Sequence, residues 1–281
     1  MEKNKESAEV IGWFDAQAEC WTDIYARRDA FSITYQDRMA RVLTWVDGLR
    51  LPPGSDVLEV GCGAGFTTLA LAEKGLHVQA QDVAMGMVEQ TLRHATEAGL
   101  AERICVNLGD IHSLTFPDDS FPLALAIGVL PWCEDPSRAL SELARVLRPE
   151  GYLLFTVDNR WRLHYLINPA RTPLLEPLRA LSRVLRKLFG WSAGGRLNRL
   201  HSIREVNSML READLEKVRG MTLGFGPFNF FRHRILSDSR GVKLHKTLQA
   251  WADRGVPLIR SAGGQYIVLA RKPSVTTAPQ L

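Results

Sequence analysis

"DVLEVGCGAGFTTLALAEKG", Asp56 to Gly75, sets three glycines at alternate positions between a short apolar run and a helical pattern. Asp56 to Val60 has the length and the Val and Leu content of a buried strand, and the helical pattern runs from Phe66 to Lys74. A strand, a glycine turn and a helix in that order place a ligand at the carboxyl edge of an open parallel sheet. Gly61, Gly63 and Gly65 carry no Cβ, so the backbone can turn sharply and approach the ligand closely. A dinucleotide fingerprint would need its third glycine at Phe66, and Gly65 falls one residue early. No Gly-Lys-Ser/Thr end follows, so a phosphate-binding P-loop is excluded as well.

Outward from this loop, Val- and Ile-rich runs alternate with longer helical patterns. Strands are expected at Asp56 to Val60, His77 to Gln81, Arg103 to Asn107, Leu123 to Ile127 and Tyr152 to Val157. Helices are expected near Phe66 to Lys74, Ala84 to Ala98 and Pro136 to Leu147. Such alternation builds right-handed βαβ units and a parallel sheet covered on both faces. Two amphipathic patterns precede it, Ala8 to Ala26 and Phe31 to Val46, and Pro52-Pro53-Gly54 breaks the second from the sheet. Beyond Arg160 to Leu200, which holds no strand-like run, Ser202-Ile203-Arg204-Glu205 reads as a capping box opening a helix to Glu212. Strands near Leu215 to Met221 and Gln265 to Arg271 complete the sheet.

Carboxylates recur where the strands end. Asp82 follows the second strand and suits two ribose hydroxyls; Asp110 follows the third and suits an adenine amine. Glu59, just before the glycines, suits an ammonium group or orients the loop. Three acids at three strand ends favour a cationic nucleoside over an anionic phosphate.

These residues carry a resemblance. "VLEVGCGAG", "DVAMGMVEQ" from Asp82, "GDIHSLTFPDDSF", "GVLPWCEDP" and "ELARVLRPEGYLLFT" follow the order and spacing of the class I S-adenosylmethionine-dependent methyltransferases over roughly Asp56 to Val157. "WFDAQAECWTDIY" also resembles the first helix of the ubiquinone/menaquinone-type subgroup. The resemblance implies a doubly wound, mostly parallel seven-stranded Rossmann-like sheet, with N-terminal helices and a helical insertion after strand five. It implies S-adenosylmethionine (SAM) as cofactor. Gly61, Cys62, Gly63 and Gly65 would pass beside its methionine portion with Glu59, and Asp82, Val83 and Met87 would border the ribose. Asp110 and Ile111 would frame the adenine, and Ile127, Gly128 and Val129 would lie beneath the sulfonium. Tyr25, Tyr35 or Arg38 could reach the cofactor's carboxylate. The family usually has Phe-Asp before strand four, whereas this chain has Phe121-Pro122; Pro at a strand's first residue is tolerated, so a local change is expected there.

Composition is that of an ordinary globular chain: 281 residues, 46% hydrophobic and 23% charged. The longest apolar stretch, Phe121 to Cys133, is too short to span a bilayer, and "MEKNKESAEV" is charged rather than signal-like, so a cytoplasmic enzyme is expected. Cys20, Cys62, Cys105 and Cys133 form no CxxC pair, which fits reduced thiols, and no metal site is expected. Cys62 reads as a loop filler rather than a nucleophile, and His112 as lining the adenine side. Met85 and Met87 read as packing against the ribose and the helix core. Trp132 reads equally as a wall of the substrate pocket or as an apolar turn residue. The net charge of +4 is local: Arg160 to Arg204 holds ten basic residues against Glu176 alone, so the remainder is net acidic. Within that stretch Leu174, Leu178, Leu181, Leu185 and Leu188 form one helical stripe beside Arg179, Arg183, Arg186 and Lys187. Segment 174–191 could close over the active site as a lid or touch an anionic membrane surface. Nucleic acid is not an expected partner, because the basic stretch lacks interleaved aromatics.

The expected division is a helical cover at 1–50, a SAM-binding core at 51–158, a basic insertion at 159–201, a C-terminal part with the substrate pocket at 202–272 and a disordered tail at 273–281. The expected activity is in-line methyl transfer to a small, hydrophobic acceptor, quinone-like, polyketide or lipid-linked. A sugar hydroxyl is an alternative acceptor, and a non-catalytic SAM-binding regulator or an NAD-dependent reductase are alternatives of other kinds. A phenol or enol acceptor would need a base, for which His164, Tyr165, His201 and His233 are candidates. "TLGFGPFNFFRHR" reads as an acceptor-pocket wall or as a buried strand end.

Overall fold

A computed structural model describes residues 2–25, 27, 29, 31–168, 171–178, 180, 198–226, 228–230 and 233–274. Its centre is the parallel set β1 (Asp56–Val60), β2 (His77–Asp82), β3 (Ile104–Leu108), β4 (Phe121–Ala126) and β5 (Leu147–Asn159). The sheet order is β3-β2-β1-β4-β5, continued by β10 (Gln265–Arg271) and β7 (Glu216–Leu223), with the two-residue β6 (Leu200–His201) attached to β5. β10 runs antiparallel to both its neighbours. β8 (Asn229–Phe230) and β9 (His233–Arg234) form a separate ribbon.

Every residue of β4 is buried, as a strand covered on both faces requires. Side chains alternate between two cores. Leu58, Ala124, Phe155 and Val268 meet α5 (Pro136–Val146) and α7 (Ile203–Glu212) on one face. On the other, Val57, Leu123, Leu154 and Ile267 meet α2 (Ser32–Leu49) and α3 (Phe66–Glu73). The capping box at Ser202 is formed, with both the Ser202 and Glu205 side chains engaged. Phe121-Pro122 produces a register shift between β4 and β5 and leaves the buried strand intact.

Two helices position the site from outside the sheet. α1 (Glu2–Ile24) lies on α4 (Met85–Glu97): Asp15 accepts the Gly86 N–H at 2.9 Å, and Phe14 and Trp21 pack over Ala84 and Met87. α8 (Asp238–Asp253), which sequence pattern does not single out, carries Leu248 and Ala252 against Phe225 and Phe228. The fully buried His245 on α8 ties three elements together. Its Nε2 lies 2.8 Å from Asp37 of α2, and its Nδ1 accepts the Phe225 N–H at 3.0 Å. The basic stripe expected from Leu174 to Leu188 lies outside the described residues at Arg179 and from Leu181 to Leu188; Leu174 and Leu178 at its start are described and exposed.

Candidate active site

β1 sits at the point where the strand order reverses direction, between β2 on one side and β4 on the other. The crevice outside the carboxyl ends of these strands is where open α/β sheets bind ligands. The glycine loop shapes it. The N–H groups of Gly61 and Cys62 are tied to Gln81 O at 2.7 and 3.0 Å, and Gly63 N–H donates to Asp82 Oδ2 at 2.9 Å. Gly61 stands at φ +72°, where a Cβ would overlap the Val129 side chain, so glycine is required. Gly65 caps α3 with Thr91 pressed against it and does not line the recess.

The recess has a volume of about 250 Å³. Glu59, Gly61, Cys62, Gly63, Asp82, Val83, Met87, Asp110, Ile111, Ile127, Gly128, Tyr25 and Arg38 all line it. His112 lines it too, with its Nδ1 2.7 Å from Asp110, whereas Met85 is exposed on α4. Trp132 is a wall residue: it stacks on Trp13 of α1 at 5.4 Å and 20°, with Phe14 edge-on at 5.1 Å. Val10, Ile11, Phe14 and Trp21 of α1 close the recess from above. Sequence pattern marks this helix as amphipathic without saying which face meets the ligand.

Charge in the recess is unevenly compensated. Burial pushes the Glu59 carboxyl up to about 8, against a short bond from Thr68 Oγ1, and Asp82 adds repulsion. Burial also raises the Asp82 carboxyl, opposed by the N–H groups of Ala84, Gly63 and Val83. Both acids would gain from a cationic ligand. Burial and the neighbouring acids Asp82 and Glu59 raise the Cys62 thiol well above its ordinary range, so it is no nucleophile. Arg38 is buried with its Nε unpartnered, lies over the Tyr35 ring at 4.7 Å, and has no ion pair among the described residues. A buried guanidinium of this kind calls for an anion.

A second chamber of about 480 Å³ adjoins the recess and shares Tyr35, Trp132, Asp158 and Gln265 with it. Gly224 and Gly226 line it, while Phe225 and Phe228 turn away into the α8 core. Of the candidate bases, His164 and Tyr165 line the chamber. His201 lines neither space and is half-buried with its Nδ1 unpartnered; His233 is exposed on the ribbon. Burial, reinforced by Arg162 and Arg171, pushes the His164 ring down to about 3. Asp158, Arg162 and Arg171 were not singled out from sequence, although Asp158 stands at the end of β5, where the strand-end rule points. Among the described residues no three His, Cys, Asp or Glu side chains gather as a metal site.

A Rossmann-like sheet, a glycine cradle that a Cβ would fill, two buried acids and one unpaired buried arginine define a site of the SAM-binding class. S-adenosylmethionine fits it: a sulfonium and an ammonium need acids, and a carboxylate needs a cation. Residues 58–155 match the family of the methyltransferase domain, and the chain therefore carries a SAM-dependent methyltransferase domain over that stretch. It is similar to a malonyl-[acyl-carrier protein] O-methyltransferase of Halorhodospira halophila (strain DSM 244 / SL1), 34% identical over 155 residues, which are 54% of this chain and 49% of the relative. It is also similar to a ubiquinone biosynthesis O-methyltransferase of Paracidovorax citrulli (strain AAC00-1), 31% identical over 121 residues, 42% of this chain and 50% of the relative. The chain thus spans about half the length of the curated relatives it matches. In fold it resembles magnesium protoporphyrin IX methyltransferase from Synechocystis PCC 6803 with bound SAH. The TM-score is 0.63 at 16% identity, covering 94% of this chain and 99% of that one, a likeness of fold alone.

Proposed function

We propose that the whole protein is a SAM-dependent O-methyltransferase acting on a small acceptor bound in the second chamber. The observation that carries this reading is the shared wall: Tyr35, Trp132, Asp158 and Gln265 border both spaces, so an acceptor in one can reach a cofactor in the other. In this reading Asp82 holds the ribose hydroxyls, and Asp110 with Ile111 borders the adenine. Glu59 and the glycine-loop backbone face the methionine end, and Arg38 pairs with its carboxylate. The bound cofactor supplies an electrophilic methyl group. The chain's own residues bind, align and exclude water, which are the main contributions to an in-line displacement. The α1 aromatics stacked on Trp132 provide the water exclusion.

A volume of about 480 Å³ suits one small ligand or the tip of a carrier-bound one. The guanidiniums of Arg162 and Arg171 in that wall argue against a purely hydrocarbon acceptor. The test is incubation of the purified protein with methyl-labelled SAM and an extract of the source cells. Label passing to an extract component, and lost with Asp82→Ala, supports the reading. Retention of all label on SAM by a protein that binds it would overturn the catalytic assignment.

A further inference from the structure

The second chamber is built around Tyr165. The guanidinium carbon of Arg162 lies 4.7 Å from the centre of its ring and that of Arg171 5.3 Å, and Arg171 Nη1 donates to the Tyr165 hydroxyl at 3.2 Å. Arg162 is buried and fixed by its Nε donating to Asn159 O at 2.8 Å. Asp158 is the one carboxylate in this wall among the described residues, and it is already engaged, by Arg162 at 3.0 Å and Asn198 Nδ2 at 3.0 Å. Two guanidiniums therefore face one carboxylate that is already shared. The excess positive charge is that of Arg171, which lines the chamber while its residue is exposed, and an anion with planar oxygens is the complementary guest for this pair of guanidiniums.

Charge also bears on the nucleophile. His164 stands edge-on to Tyr165 at 4.7 Å, beside both arginines, and stays neutral and weakly basic there. Asp158 is held in its ion pair. A phenol or alcohol would find no free base in this wall among the described residues, whereas a carboxylate arrives already deprotonated.

We infer that the acceptor is a carboxylate anion, drawn into the chamber by Arg162 and Arg171 over Tyr165, and that it leaves as a methyl ester. This inference rests on the methyltransferase reading. A lone pair of one carboxylate oxygen forms the new bond to the methyl carbon. The methyl carbon–sulfur bond breaks, its electron pair stays on sulfur, and no proton is transferred.

Products formed from methyl-labelled SAM and source-cell extract are treated with mild alkali, which releases methyl esters as volatile methanol and leaves ethers, N-methyl and C-methyl groups intact. Volatile label is expected. In Arg171→Gln its yield should fall about ten- to hundredfold, the usual range for one charge-assisted hydrogen bond, while SAM affinity measured by calorimetry stays unchanged. Arg171→Lys should recover part of the yield, because it keeps the charge and loses the fork. Alkali-stable label would overturn the carboxylate acceptor and leave methyl transfer standing. Alkali-labile label with full yield in Arg171→Gln would overturn the assignment of this cavity. Absence of transferred label would overturn the methyltransferase reading itself.

Discussion

At the residue scale, Glu59 and Gly61 show how one short stretch serves both fold and ligand. In the unfolded chain Glu59 titrates near 4.5, and in the folded protein near 8. Between those values the folded protein keeps a proton that the unfolded chain has released. The stability present below about pH 4.5 is therefore lost as the pH rises through about 8. Glu59→Gln should flatten that slope, so urea titrations at about pH 5 and pH 8 should differ less for the variant than for wild type. An equal slope would mean that Glu59 is ionised in the folded state. Gly61→Ala places a Cβ against Val129 at a positive φ. It should cost about 1–3 kcal/mol of stability in the same assay.

At the scale of elements, the cover and the C-terminal layer are held by contacts distant in sequence. Trp13→Ala removes the stack on Trp132 and should speed SAM release about three- to tenfold in stopped-flow fluorescence, the loss of one aromatic pair. His245→Ala frees Asp37 and the Phe225 N–H at once. A loss of about 2–4 kcal/mol is expected by urea unfolding. β1 to β5 were legible because buried parallel strands are short apolar runs that alternate with helices of a different period. α8 was not. Its buried face mixes Leu248 and Ala252 with His245 and Gln249, and Gly241 interrupts it, so the apolar stripe that marks a helix is missing. The same holds for the site. Of the residues lining the recess, Glu59, Gly61, Gly63, Asp82 and Asp110 could be read from strand ends and a glycine loop, whereas Val10, Ile11, Phe14 and Trp21 of α1 could not. Arg162, Arg171 and Asp158 belong together only after β5, α6 (Leu163–Leu166) and the segment beyond it have folded around Tyr165.

For the whole molecule, the two spaces are walls of one structure: α1 and α2 above, the sheet edge below, and the segment after β5 beside them. A ligand that binds only this folded arrangement stabilises all of it. SAM at about a hundred times its Kd should add about 2.7 kcal/mol, which raises Tm by about 5 °C in a chain of this size. Differential scanning fluorimetry reads that shift, and nicotinamide cofactors should produce none.

The most direct test is isothermal calorimetry of SAM against wild type and Asp82→Ala, with circular dichroism confirming that both are folded. One-to-one binding to wild type, weakened at least about tenfold by loss of the carboxylate proposed to meet the ribose, is the expected result. Equal affinity in the variant, or no binding to wild type, would contradict the placement of the cofactor between the glycine loop and β2.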